Sequence, residues 1–100
     1  VYTGCNVENA CYAMCQCAEA TAIGNMISQV GDDIHIAAVM IVTDTKNGVS
    51  PCGGCLQIIS EFAEVNTKIY TANLNGVCEK HAFTDLFPQQ FDKSSLASVN

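Results

Sequence analysis

The sequence contains no arginine, and its four basic residues are all lysines. Against them stand ten acidic residues, leaving a formal net charge of −6. A protein that grips nucleic acid needs a basic footprint to neutralise phosphates. None is present, so a small, uncharged substrate fits better than a polymer, and the acidic surface serves solubility. Long hydrophobic runs are missing too. None approaches the roughly 20 residues needed to span a bilayer as a helix, and no signal peptide is visible. Repeats, low-complexity stretches and a clear linker are also absent. At 100 residues, the chain is expected to form one domain, residues 1–100. Almost half of it is apolar, 49%, enough for a core. A domain this small is marginal alone, and a metal or self-association would help it.

What is present in excess is cysteine. Seven is an odd count, so a complete disulfide framework is ruled out. The residues cluster as Cys15-Gln16-Cys17 and Cys52-Gly53-Gly54-Cys55. Such spacing belongs to metal ligation in a reducing compartment, which points to the cytoplasm.

Hydrophobic periodicity gives the elements. Val1–Glu8 alternates and reads as a strand. Ala18, Ala22, Ile23, Met26, Ile27 and Val30 mark one helical face, stopped by Gly31. Ile34–Val42 is a continuous apolar run that suits a strand covered on both faces. Cys55, Leu56, Ile59, Phe62 and Ala63 mark a second helix, and Lys68–Leu74 a further buried strand closed by Asn75-Gly76. Val77–Phe83 has the makings of a short strand, and Thr84 of an N-cap to a last helical turn before Pro88. Strands alternating with helices predict an α/β layered sandwich with parallel pairing through crossovers.

Both cysteine clusters then fall at helix starts, where free N–H groups and the helix dipole favour thiolate over thiol. Two arrangements are open. Cys15, Cys17, Cys52 and Cys55 can form a closed, structural site. Alternatively, Cys17, Cys52 and Cys55 hold the metal and leave a fourth position to water. If the helix has begun by Cys15, residues two apart diverge and Cys15 is excluded. Glu19, in the first turn, is then placed to move protons. Cys5, Cys11, Cys15 and Cys78 are expected to pack as small apolar side chains. His35 and His81 sit at no ligand spacing and are expected at strand ends or on the surface.

The segments TGCNVENACYAMCQCAEATA (Thr3–Ala22) and SPCGGCLQIISEF (Ser50–Phe62) resemble the cytidine deaminases of the small tetrameric, three-cysteine kind. Cys17-Ala18-Glu19 and Pro51-Cys52-Gly53-Gly54-Cys55 fit the zinc nucleobase-deaminase signature, and TANLNG (Thr71–Gly76) extends the likeness over nearly the whole chain. The resemblance implies a three-layer α/β/α sandwich with a mixed sheet, here lacking the family's leading helix and first strand. It implies Zn2+ on Cys17, Cys52 and Cys55, with Glu19 as the proton carrier. Ala18 would offer a backbone group to the pyrimidine, and Asn6 and Glu8 would bond the ribose hydroxyls. Ala10, Tyr12 and Phe91 match positions that complete a neighbouring subunit's pocket, so a homotetramer with shared sites is implied. The reaction implied is hydrolytic deamination of cytidine or deoxycytidine, as in pyrimidine salvage. Two rivals remain: a non-catalytic, zinc-stabilised degenerate module, and a deaminase of another aminated nucleoside of the blasticidin type. The chain departs from the family at Ala20 and Leu56, where the tetrameric enzymes usually carry arginine.

Overall fold

The computed structural model describes residues 1–44, 49–76 and 78–89. It forms two compact units, Val1–Ile34 and His35–Asn100.

In the first unit the expected strand over Val1–Glu8 does not form. Only Val7 pairs, in an isolated antiparallel bridge to Gln16. The segment lies on a helix, α1 (Ala18–Val30), instead of a neighbouring strand. Gly4 sits so close to it that a Cβ there would meet Ala22 N at 2.4 Å and Ala18 O at 2.6 Å. Asn25 Nδ2 donates to the Thr3 carbonyl across the same contact, at 3.4 Å. α1 is the helix its apolar spacing predicts. It ends at Gly31, whose φ of +82° favours glycine. Between Val7 and Gln16 the chain makes one 3₁₀ turn, Tyr12–Met14.

The second unit is a three-stranded mixed sheet in the order β1-β2-β3. β1 (Ile36–Thr43) pairs in parallel with β2 (Ala63–Asn73), and the connection between them carries α2 (Gly53–Ser60). β3 (Cys78–Ala82) returns antiparallel to β2 after the turn at Asn75-Gly76, where Gly76 has φ +91°. β3 thus makes the sheet mixed, as the resemblance implied, because a four-residue connection cannot make a parallel crossover. Phe62 and Ala63 are not on the second helix: α2 stops at Ser60, and Ala63 opens β2. A short helix, α3 (Phe83–Leu86), follows β3 with Ala82 at its N-cap. Thr84 therefore lies within the helix and does not cap it.

β1 is not covered on both faces as its apolar run predicted. Met40 and Val42 are exposed, while Val39 and Ile41 are half-buried. Cys55, Leu56, Ile59, Ile69, Ala72 and Phe83 are buried, and Phe83 meets Phe87 edge-on at 6.1 Å.

The β1–β2 ladder carries one irregularity. Ile36 pairs with Ala63 but Ala38 pairs with Lys68, so β2 advances five residues while β1 advances two. Thr67 splices this excursion. Its fully buried Oγ1 donates to the Ile36 carbonyl and accepts from the Glu64 N–H. His35 pairs with Glu64 at 3.3 Å and His81 with Glu79 at 3.6 Å. Both pairs sit at or beside strand ends, as expected of residues outside a metal site. Among the described residues, no helix is long and apolar enough to cross a membrane.

Candidate metal centre and proton carrier

The metal-type residues come from two helix starts. Cys17 is the N-cap of α1, extended at φ −77°, ψ 153°, and its carbonyl accepts from the Thr21 N–H and hydroxyl. Glu19 is half-buried in the first turn of the same helix. Cys52 is the N-cap of α2 and Cys55 lies in its first turn. Their sulfurs lie within 4.8 Å of one another. The Cys55 N–H donates to Cys52 Sγ at 3.4 Å, and Cys55 is 2% exposed.

This local arrangement suits zinc. An N–H aimed at a sulfur favours the thiolate, as does the positive end of the helix dipole. A pair spaced Cys-x-x-Cys on one helix start is a common half of a tetrahedral zinc site. No disulfide joins any of the seven cysteines.

Cys15 is set apart by its bonding and not by helix geometry. α1 begins at Ala18, so Cys15 and Cys17 both precede it, in extended conformation. Helical divergence therefore gives no reason to set Cys15 apart from Cys17. What sets it apart is its bonding. Its thiol donates to the Asn9 carbonyl at 3.4 Å, and its sulfur accepts from the Asn9 N–H at 3.3 Å. Cys15 is half-buried, and Cys5, Cys11 and Cys78 are exposed. The expectation that all four pack as small apolar groups is corrected for these three. They lie in segments with few covered neighbours, where no core reaches them.

The expected substrate residues lie in the first unit. The Asn6 side chain is spent partly on the protein: its Oδ1 accepts from the Ala18 N–H at 2.9 Å. This supplies α1 with the cap that the Cys17 side chain does not give. Of the Ala18 backbone groups, one of which was expected to face a pyrimidine, the N–H is thus tied to Asn6. Glu8 and Ala10 are exposed, and Tyr12 is 88% exposed at the start of the 3₁₀ turn. Phe91 lies outside the described residues. Two residues that sequence reasoning passed over emerge here, Gly4 and Asn9. Asn9 carried a signal: its Oδ1 accepts from the Cys11 N–H at 2.8 Å, the turn asparagine makes two residues on.

Several known proteins resemble this chain. The sequence model of the cytidine and deoxycytidylate deaminase zinc-binding region matches residues 1–72. A cytidine deaminase from Sporosarcina psychrophila is 40% identical over 98 residues, spanning 97% of this chain and 70% of that protein. One from Halalkalibacterium halodurans is 38% identical over 96 residues, spanning 96% and 71%. The crystal structure of the Burkholderia pseudomallei cytidine deaminase superposes with a TM-score of 0.77 at 31% identity, covering 90% of this chain and 71% of that one. The mixed sheet and its helices are thus the fold of those enzymes, and the chain belongs to the cytidine and deoxycytidylate deaminase zinc-binding family.

Proposed function

We propose that this protein is a zinc-dependent enzyme that hydrolyses cytidine or deoxycytidine to uridine or deoxyuridine and ammonia. The observation that carries the reading is Glu19. It is a carboxylate in the first turn of a helix whose N-cap, Cys17, is a thiol of zinc-ligand type, in a chain similar to named cytidine deaminases.

Cys17, Cys52 and Cys55 would hold one Zn2+ between them, leaving a coordination position open. Three ligands from two helix starts support this, as does the engagement of Cys15 with Asn9. When bound, zinc supplies a Lewis acid that makes water nucleophilic near neutral pH. The protein's own part is proton transfer and positioning. Glu19 takes a proton from the attacking water and gives it to the ring nitrogen beside C4, which makes that carbon electrophilic. Once the C–O bond has formed, Glu19 takes the remaining proton from the added hydroxyl and delivers it to the amino group; the C4 carbonyl forms as the C–N bond breaks and ammonia leaves. One carboxylate serves each transfer, so no histidine is needed. Asn6 and Glu8 bind the ribose hydroxyls and Ala18 presents its backbone to the base.

Ala10, Tyr12 and Phe91 complete the pocket of a neighbouring copy in a homotetramer. The 88% exposure of Tyr12 supports this assignment, since an aromatic ring left in water gains by entering a partner's pocket. The setting is pyrimidine salvage in the cytoplasm, where thiols stay reduced.

The decisive experiment follows the ultraviolet change of cytidine and deoxycytidine, with zinc measured on the same samples. Wild type should hold one zinc per chain and turn over. Glu19→Gln should keep zinc and lose at least about 10²–10⁴-fold in kcat. Cys52→Ala should lose the metal, and stability with it. Wild-type rates in Glu19→Gln would sink the mechanism.

A further inference from the structure

The loop from Val7 to Gln16 presents Glu8, Ala10 and Tyr12, yet residues 7–14 are all exposed. Packing within the chain does not set its shape, so its hydrogen bonds must. At its base Val7 and Gln16 exchange two backbone bonds of 2.9 Å each. In an antiparallel ladder the next rung would join Asn9 to the residue two before Gln16, which is Met14. That rung is missing, because the chain there turns into the 3₁₀ helix. The Met14 N–H goes to the Cys11 carbonyl at 2.9 Å and the Cys15 N–H to the Tyr12 carbonyl at 3.2 Å.

Cys15 Sγ takes the place of that rung. It accepts from the Asn9 N–H and donates to the Asn9 carbonyl, the two groups a strand partner would have satisfied. Asn9 Oδ1 then turns the chain by accepting from the Cys11 N–H.

We propose that Cys15 is a positioning residue: its thiol closes the Val7–Gln16 loop on Asn9, holding Glu8, Ala10 and Tyr12 where substrate is bound, and it is not a zinc ligand. The role of those three residues rests on the function proposed above. Cys15 acts through the loop and touches no reacting atom. Losing it affects binding of the nucleoside more than the proton transfers of Glu19, which stands on α1.

The test compares wild type, Cys15→Ala and Cys15→Ser. Serine keeps one donor and two acceptor sites on a shorter arm, so it can re-form both bonds. Three quantities are read: zinc per chain, kcat and KM for cytidine, and amide hydrogen exchange over residues 8–14. Alanine should retain one zinc and raise KM about 5–10-fold with kcat within about twofold. That is the size expected when two weak hydrogen bonds ordering a loop are lost. Exchange over 8–14 should quicken about tenfold, and serine should restore both readouts most of the way. Loss of zinc in Cys15→Ala makes Cys15 a ligand and overturns the proposal. So does unchanged KM with unchanged exchange, or a serine variant no better than alanine. Wild type that holds zinc but leaves cytidine intact would refute the functional reading instead, and the exchange comparison would still decide whether Cys15 closes the loop.

Discussion

Adding one methyl group at Gly4 should disturb the first unit about as much as a core truncation would. A Cβ at this position would stand 2.4 Å from Ala22 N, 2.6 Å from Ala18 O and 3.0 Å from Ala22 Cα. Ordinary contact needs about 3.5 Å, so the overlap is about 1 Å. Every atom it meets is helix backbone, which cannot rotate aside as a side chain can. The segment bearing Gly4 must therefore lift from α1 by about 1 Å. Two residues on, the 2.9 Å bond from the Ala18 N–H to Asn6 Oδ1 would open to about 3.9 Å, beyond hydrogen-bonding range. Overpacking strain of about 1–3 kcal/mol and one lost hydrogen bond of about 1 kcal/mol give a total of about 2–4 kcal/mol. For a domain of this size that is a fall in thermal midpoint of at least about 8 °C. Thermal unfolding of Gly4→Ala reads the first quantity, and hydrogen exchange at the Ala18 amide reads the second. A midpoint within about 2 °C of wild type, with the Ala18 amide equally protected, would refute the reasoning.

Leu56→Arg, which restores the residue usual in the tetrameric relatives, should destabilise this chain. Leu56 is only 7% exposed, and placing an unpaired charge there should cost about 3 kcal/mol or more; a variant melting at or above the wild-type midpoint would contradict this. The proposed homotetramer is checked by light scattering at micromolar concentration, where four times the chain mass is expected and a monomer would remove Tyr12 and Phe91 from any shared pocket.

The parts of this protein legible in its sequence are those governed by local spacing. α1 followed from the recurrence of Ala22, Ile23, Met26 and Ile27, and its end from Gly31. The Cys-x-Glu and Pro-Cys-x-x-Cys segments marked the candidate metal residues, because zinc fixes ligand spacing on a helix start. What the sequence did not disclose depends on partners distant in the chain. Val1–Glu8 has strand-like alternation, but the element it meets is a helix, and no residue within the segment says so. An apolar run such as that in β1 records that burial is possible and leaves open which face receives it. Cys15 was left open for a related reason. Its role depends on two backbone groups of Asn9, six residues earlier, and on where the helix begins. The sequence does not fix that start to within three residues, so whether helical divergence applies to Cys15 could not be read from it.

The splice at Thr67 bears on how this sheet can change over evolution. The parallel ladder from Ala38 to Thr43 is keyed to β2 at Lys68 and beyond. The residues before it, Glu64, Val65 and Asn66, bulge outward into solvent. Because one threonine hydroxyl binds both the Ile36 carbonyl and the Glu64 amide, register is set after the bulge and not by counting through it. Insertions or deletions among Glu64–Asn66 can therefore accumulate without slipping the strands, provided Thr67 is kept. Drift in chain length is absorbed at one end of β2, while the opposite end, Thr71–Asn73, keeps its place beside Ile41–Thr43.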